Sequence, residues 1–180
     1  MKQNIRKTVL LSLFLIFTFS SYSQTILISS KYKIERTCLE KNADMIERFS
    51  YHLQDDYNNY IQQKIDNQLE KLSVDNGVFI SHNSEKMYVK RILDIIDKEL
   101  SNKEKKRLYK NHRLIFVILS IDTKGNIILV ELSSYGLMEK DISSKRMFNI
   151  LHQIKKMTIN DIRPFHNNGY INFTVVRRFK

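Results

Sequence analysis

Apolar residues recur at helical spacing from Asn42 to Leu72. Ile46, Phe49, Leu53, Tyr57, Tyr60, Ile61, Ile65, Leu69 and Leu72 share one stripe, with Asp, Asn, Gln and Lys opposite. That spacing predicts one long amphipathic helix. Ser73–Asn83, with Asn76 and Gly77, reads as a break, and a second helix is predicted from Ser84 to Leu100 on Met87, Ile92, Leu93, Ile95, Ile96 and Leu100. Ser101 and Glu104 stand at capping-box spacing and open a short, basic helix to Lys110.

The period then changes from helical to extended. Arg113–Ile121 is almost wholly Leu, Ile, Phe and Val, a strand covered on both faces or an unusually apolar edge. Asp122-Thr123-Lys124-Gly125-Asn126 predicts a turn with Gly125 at positive φ, and Ile127–Ser133 the return strand. Met147, Ile150, Leu151, Ile154 and Met157 mark a helix between Met138 and Met157. After Pro164 and the Asn167-Asn168-Gly169 turn, Tyr170–Phe179 alternates, with Ile171, Phe173 and Val175 toward the core and Tyr170, Asn172 and Thr174 away. The expected fold class is α+β: N-terminal helices, then a small three-stranded antiparallel sheet packed with helices. The expected division is 1–23 as a leader, 24–100 as a helical region and 101–180 as the α+β domain.

The leader reading rests on three parts in order. Lys2, Arg6 and Lys7 precede an apolar run from Val9 to Phe19 broken only by Ser12 and Thr18, and Ser21-Tyr22-Ser23 supplies small residues for cleavage. The run is too short to span a bilayer, which takes roughly 20 residues. A cleaved signal peptide places the protein in the periplasm. The whole chain carries 30 Lys+Arg against 19 Asp+Glu; losing the three basic residues of the leader leaves 27 against 19, a net charge of +8. On an exported chain that charge favours anionic membrane or cell-wall surfaces over nucleic acid, with a merely solvated basic surface as the plainer reading.

The chemistry is sparse. His52, His82, His112, His152 and His166 stand singly, none at metal-ligand spacing from another, and CxxC, HExxH, GxSxG and GxGxxG are all missing. No catalytic, cofactor-binding or metal site is therefore expected, and no enzyme. Cys38, the single cysteine, lacks a partner for an internal disulfide and is expected to be buried and inert. The charged clusters are Lys103–Lys110 and Arg177-Arg178-Lys180.

Residues 101–180 resemble the C-terminal domain of TonB-type energy transducers. The resemblance lies in RLIFVILSIDTKGNIILVELSS from Arg113, FNILHQIKKM, and IRPFHNNGYINFTVVRRF from Ile162, with Asp122, Gly125, Ser133, Pro164, Gly169, Phe173 and Phe179 at the matching positions. The anchor and Pro-rich reach of a transducer are missing, Ile162-Arg163 replaces the aromatic before Pro164, and Asn111-His112 replaces glycines. The resemblance implies a soluble periplasmic module that binds an envelope protein, such as an outer-membrane transporter or receptor. An edge strand at Tyr170–Phe179 would accept a partner strand, with Tyr170, Asn172, Thr174, Arg177 and Arg178 giving selectivity. The rivals are a basic binder of anionic membrane or cell-wall polymer, making peripheral membrane contact, and an enzyme of unknown type. Intact mass of the protein recovered from its native cell should correspond to a chain starting at Gln24, and a mass retaining residues 1–23 would refute the leader.

Overall fold

The structure is a computed structural model, describing residues 23–28, 32–41, 44–66, 70–71, 82–161 and 169–180. The leader up to Tyr22, most of the Ser73–Asn83 break and the segment around Pro164 lie outside the described residues. Seven strands form one sheet: β1 (Ser23–Ile28), β2 (Tyr32–Lys41), β3 (Asp44–Leu53), β4 (Glu70–Lys71), β5 (Leu114–Asp122), β6 (Ile127–Tyr135) and β7 (Gly169–Arg178), in the order β1-β2-β3-β6-β5-β7-β4. The five longest, β2, β3, β5, β6 and β7, pair antiparallel, and only the two-residue β4 runs parallel to its neighbour. Among the described residues four α-helices accompany them: α1 (Gln54–Ile65), α2 (His82–Glu99), α3 (Asn102–Lys110) and α4 (Ser144–Lys155).

The α+β class therefore stands, but the three-stranded sheet does not. The expected strands do pair as β6-β5-β7, yet β1, β2 and β3 extend the same sheet on the β6 side. Nor is 24–100 a helical region, since it contributes four strands. The single helix expected over Asn42–Leu72 is a strand followed by a helix that begins at Gln54. Its sequence carries two periods at once. Phe49 and Leu53 fit a helical stripe, but Phe49, Tyr51 and Leu53 also alternate, and aromatic side chains pack well on a pleated surface. Ten consecutive pairings between β2 and β3, from Tyr32↔Leu53 to Lys41↔Asp44, settle it for the strand. Cys38 on β2 is free and only partly covered, so the expected burial is corrected too.

Elsewhere the pattern and the structure agree closely. The core face of the sheet carries Tyr32, Ile34, Phe49, Tyr51, Leu132, Ile115, Val117, Leu119 and Val175, all buried. Against it pack Ile92 and Ile96 of α2 and Met147, Ile150, Leu151 and Ile154 of α4, burial that drives the fold at about 25 cal/mol per Å² of apolar surface. Ile171 and Phe173 of β7 pack on the same cluster, as their alternation predicts. Glu99 fastens the two helices to each other: Arg146 donates to its carbonyl, and Gln153 Nε2 and Asn149 Nδ2 to its carboxylate at 2.5 and 3.3 Å. Gly125 takes φ +86° in the β5–β6 turn. A Cβ there would lie 2.0 Å from the Ile159 carbonyl oxygen, whose residue's N–H bonds the Gly125 carbonyl at 2.9 Å. Only glycine allows that approach.

The capping box forms as its spacing predicts. Ser101 Oγ accepts from the Glu104 N–H, and Glu104 Oε2 accepts from the Ser101 N–H at 2.9 Å. Glu104 also accepts the Ser143 N–H at 3.2 Å and pairs with Arg146 at 2.9 Å, tying α3 to the start of α4. Burial pushes this carboxyl up, but the Ser101 and Ser143 hydrogen bonds and the Arg146 charge outweigh it and hold it below the usual glutamate value. A carboxyl depressed by folding stabilises fully above its unfolded pKa of ~4.3 and loses that contribution as pH falls through the lower folded value. Glu104→Gln should therefore cost about 1–3 kcal/mol at pH 7 in urea melts, and the gap to the native chain should close below pH ~4. An equal gap at pH 3 and pH 7 would contradict this.

Candidate functional site

The other face of the sheet is polar. Pairing across β2, β3, β6, β5 and β7 sets rows of side chains on it, one running Lys33, His52, Glu131, Ile118, Thr174 and the next Glu35, Ser50, Ser133, Phe116, Val176. Helix α1 follows directly from β3 and folds back over one end of this face. Tyr57 donates to Glu35 Oε1, Tyr60 meets Tyr170 edge-on with ring centroids 5.5 Å apart, and Asp56 pairs with Lys155 at 3.0 Å.

Beneath α1 lies a cleft of about 210 Å³, lined chiefly by Glu35, His52, Tyr57, Tyr60, Glu131 and Asn172. His52 is 3% exposed, its Nε2 stands 3.6 Å from Glu35 Oε2, and its ring lies 4.8 Å from that of Tyr57. At 3.6 Å this is an ion-pair distance rather than a direct hydrogen bond, and neither ring nitrogen has a hydrogen-bond partner among the described residues. Glu131 Oε1 accepts from Ser50 Oγ at 2.7 Å and Arg48 Nη2 at 2.5 Å, and Arg48 Nε reaches Ser133 Oγ at 3.2 Å. Burial pushes the Glu35 carboxyl up, but His52, the Tyr57 hydroxyl and Lys33 outweigh it, so it sits below the usual value. Burial, then the Glu35 hydrogen bond and charge, raise the Tyr57 hydroxyl; burial and Tyr170 raise that of Tyr60. The tyrosines are thus neutral donors and Glu35 an anion.

The other end of the face is uncovered. An open groove of about 770 Å³ runs along Leu114, Phe116, Tyr135, Val176, Arg177, Arg178 and Lys180. Tyr135 and Val176 are 45% and 43% exposed, and Phe116 meets Tyr135 edge-on at 5.7 Å. β4 pairs only with Gly169 and Tyr170, so among the described residues Ile171–Arg178 has a strand neighbour on one side alone.

These two sites divide the residues named from sequence. Tyr170 is buried, against Tyr60. Asn172 accepts from Ser120 Oγ at 3.0 Å and lines the cleft. Thr174 is exposed between the two sites, and Arg178 lines the groove. Arg177 points to the opposite face, where it grips Asp97 of α2 at 2.8 and 2.9 Å. The sequence reading missed Glu35, His52, Tyr57 and Glu131, because no short spacing joins positions 35, 52 and 131. Among the described residues no His, Cys, Asp or Glu cluster has the arrangement to hold a metal ion, and no helix is long and apolar enough to cross a membrane.

No protein-family model matches the chain, and no curated protein matches it. Among solved structures it is similar to a DUF5043 family protein from Bacteroides uniformis ATCC 8492, with a TM-score of 0.52 and 10% identity over 89% of this chain and 87% of that one. At that identity the likeness concerns the fold alone, and it extends over the N-terminal strands as well as the C-terminal half.

Glu131 is the acceptor on which the β3–β6 join depends. Glu131→Ala should destabilise by about 2–4 kcal/mol, since it strips Arg48 and Ser50 of their shared partner, while Thr174→Ala should stay within about 0.5 kcal/mol. Equal melting curves for the two variants would refute this role.

Proposed function

We propose that this protein is an exported, non-enzymatic binding module that docks an extended, acidic segment of another envelope protein in the open groove beside β7. The observation that carries the reading is the exposure of Tyr135 and Val176 between Arg178 and Lys180, beside a strand whose residues Ile171–Arg178 have a strand neighbour on one side alone among the described residues. Main-chain pairing along Ile171–Arg178 would supply affinity, an apolar side chain would bury against Phe116, Tyr135 and Val176, and carboxylates would meet the two basic residues. The resemblance of residues 101–180 to TonB C-terminal domains supports the same kind of partner. Periplasmic location rests on the leader sequence.

A photo-crosslinking amino acid placed at Val176 in the native cell should give one discrete protein adduct, and the same group at exposed Met87 on α2 should give none. Arg178→Glu should reduce the adduct, and rising salt should weaken binding by the isolated protein. Proline at Asn172 or Thr174, made separately, should block pairing at whichever N–H points outward. No adduct at Val176, or equal adducts at both positions, would rule the groove out. Co-sedimentation with anionic vesicles that survives Arg178→Glu would favour a surface binder instead.

A further inference from the structure

We infer that the cleft under α1 is a binding site for a small organic ammonium ion, separate from the groove beside β7. The chain as a whole is strongly basic, at +11, yet the only charged side chains lining this cleft among the described residues are the carboxylates Glu35 and Glu131. Lys33 and Arg48 neutralise them from outside the lining. Lys33 lies 3.8 Å from Glu35 Oε1 and 3.9 Å from the centre of the Tyr57 ring, and Arg48 bonds Glu131 Oε1. Both internal cations engage the Oε1 atoms, while Glu35 Oε2 faces His52.

The buried imidazole is the second, independent sign of a ligand. A buried polar atom without a partner is costly, and such atoms are ordinarily satisfied by protein, water or ligand. His52 is buried, neither of its nitrogens has a hydrogen-bond partner among the described residues, and it lines the cleft. It stands directly across the ladder from Glu131, with Glu35 on the next strand. An imidazole ring offers at most one acceptor nitrogen, which with the two carboxylates makes up to three acceptors around one space, and a primary ammonium carries three N–H donors. An anion needs hydrogen-bond donors, and the two carboxylates lining the cleft offer it none. A neutral alcohol offers one donor per hydroxyl and no charge. The Tyr57 and Tyr60 rings and the apolar Ile61, Ile118 and Leu129 would hold a short carbon chain behind the ammonium group.

Calorimetric titration of the full-length protein with 1,4-diaminobutane should give saturable 1:1 binding, and 1,4-butanediol under the same conditions should give none. The protein's overall positive charge repels a diamine, so non-specific uptake works against the expected result. Glu35→Gln should weaken binding by at least about tenfold, since it removes one charge-assisted acceptor and keeps the shape. Lys106→Gln on the far helix should change nothing. Should Glu35→Gln fail to fold, the wild-type protein still decides: the His52 ring resonances should shift on titration while those of exposed His112 and His152 stay still. Butanediol binding as well as the diamine, no saturation, or saturation with an unmoved His52 would each overturn the assignment. Each of these readouts is independent of crosslinking at Val176, so failure here leaves the groove untouched and the reverse holds too.

Discussion

Five pairings between β3 and β6, from Arg48↔Tyr135 to His52↔Glu131, convert two separate strand sets into one sheet. Every other strand contact joins neighbours in sequence or lies within the C-terminal unit, with the two-residue β4 the exception. The β3–β6 ladder closes a chain loop of some eighty residues, so its entropy cost must be recovered where the strands meet. Two different interactions recover it. On the core face, Phe49 and Tyr51 bury against the cluster that includes Leu132, and the Tyr51 hydroxyl accepts the Met138 N–H at 2.8 Å and donates to Glu139 at 2.7 Å. On the polar face, Arg48 and Ser50 converge on Glu131.

This asymmetry between the faces organises the rest. The core face is apolar and close-packed, and helices α2 and α4 lie on it for ordinary hydrophobic reasons. The polar face could not hold a helix that way. Its rows mix Lys33, Glu35, Arg48, Ser50, His52 and Glu131 with a few apolar residues, and α1 is held to this face by Tyr57 and Tyr60, while its Asp56 reaches Lys155 of α4. A polar contact of this kind stabilises only while each group keeps its partner, and that is why His52, whose ring nitrogens have no hydrogen-bond partner among the described residues, stands out.

The sequence was most legible where one period dominated and a local device marked the boundary. Ser101 with Glu104, Gly125 in its turn, and the alternation of Ile171, Phe173 and Val175 each appear in the structure as read. It was least legible from Ser23 to Leu53. In β2 the inward Tyr32 and Ile34 alternate with Lys33 and Glu35, too few apolar positions to declare a strand, and β3 carries both periods at once. A strand's identity there depends on its partners, β6 above all, and a local window does not contain them. The same holds for the cleft. Glu35, His52 and Glu131 are distant in sequence and come together only through register, so reading the histidines one by one left His52 looking isolated. At the edge strand, Ile171–Arg178 has a strand neighbour on one side alone among the described residues, but β4 pairs with Gly169 and Tyr170, and Tyr170 is buried against Tyr60 of α1.

The uneven cover on the polar face also explains why β7 ends as it does. An open edge invites pairing with any extended chain, and natural sheets blunt it with charge. Along β7 the alternation places Arg178 on the polar face and Arg177 on the other, where Asp97 neutralises it. Arg177 also lines the groove, but Asp97 of α2 holds its guanidinium, so Arg178 and Lys180 are the groove's basic residues outside that ion pair. Two positive charges beside exposed Tyr135 and Val176 repel basic and tolerate acidic extended segments. That sign of charge is what the acidic partner segment proposed for this groove would meet.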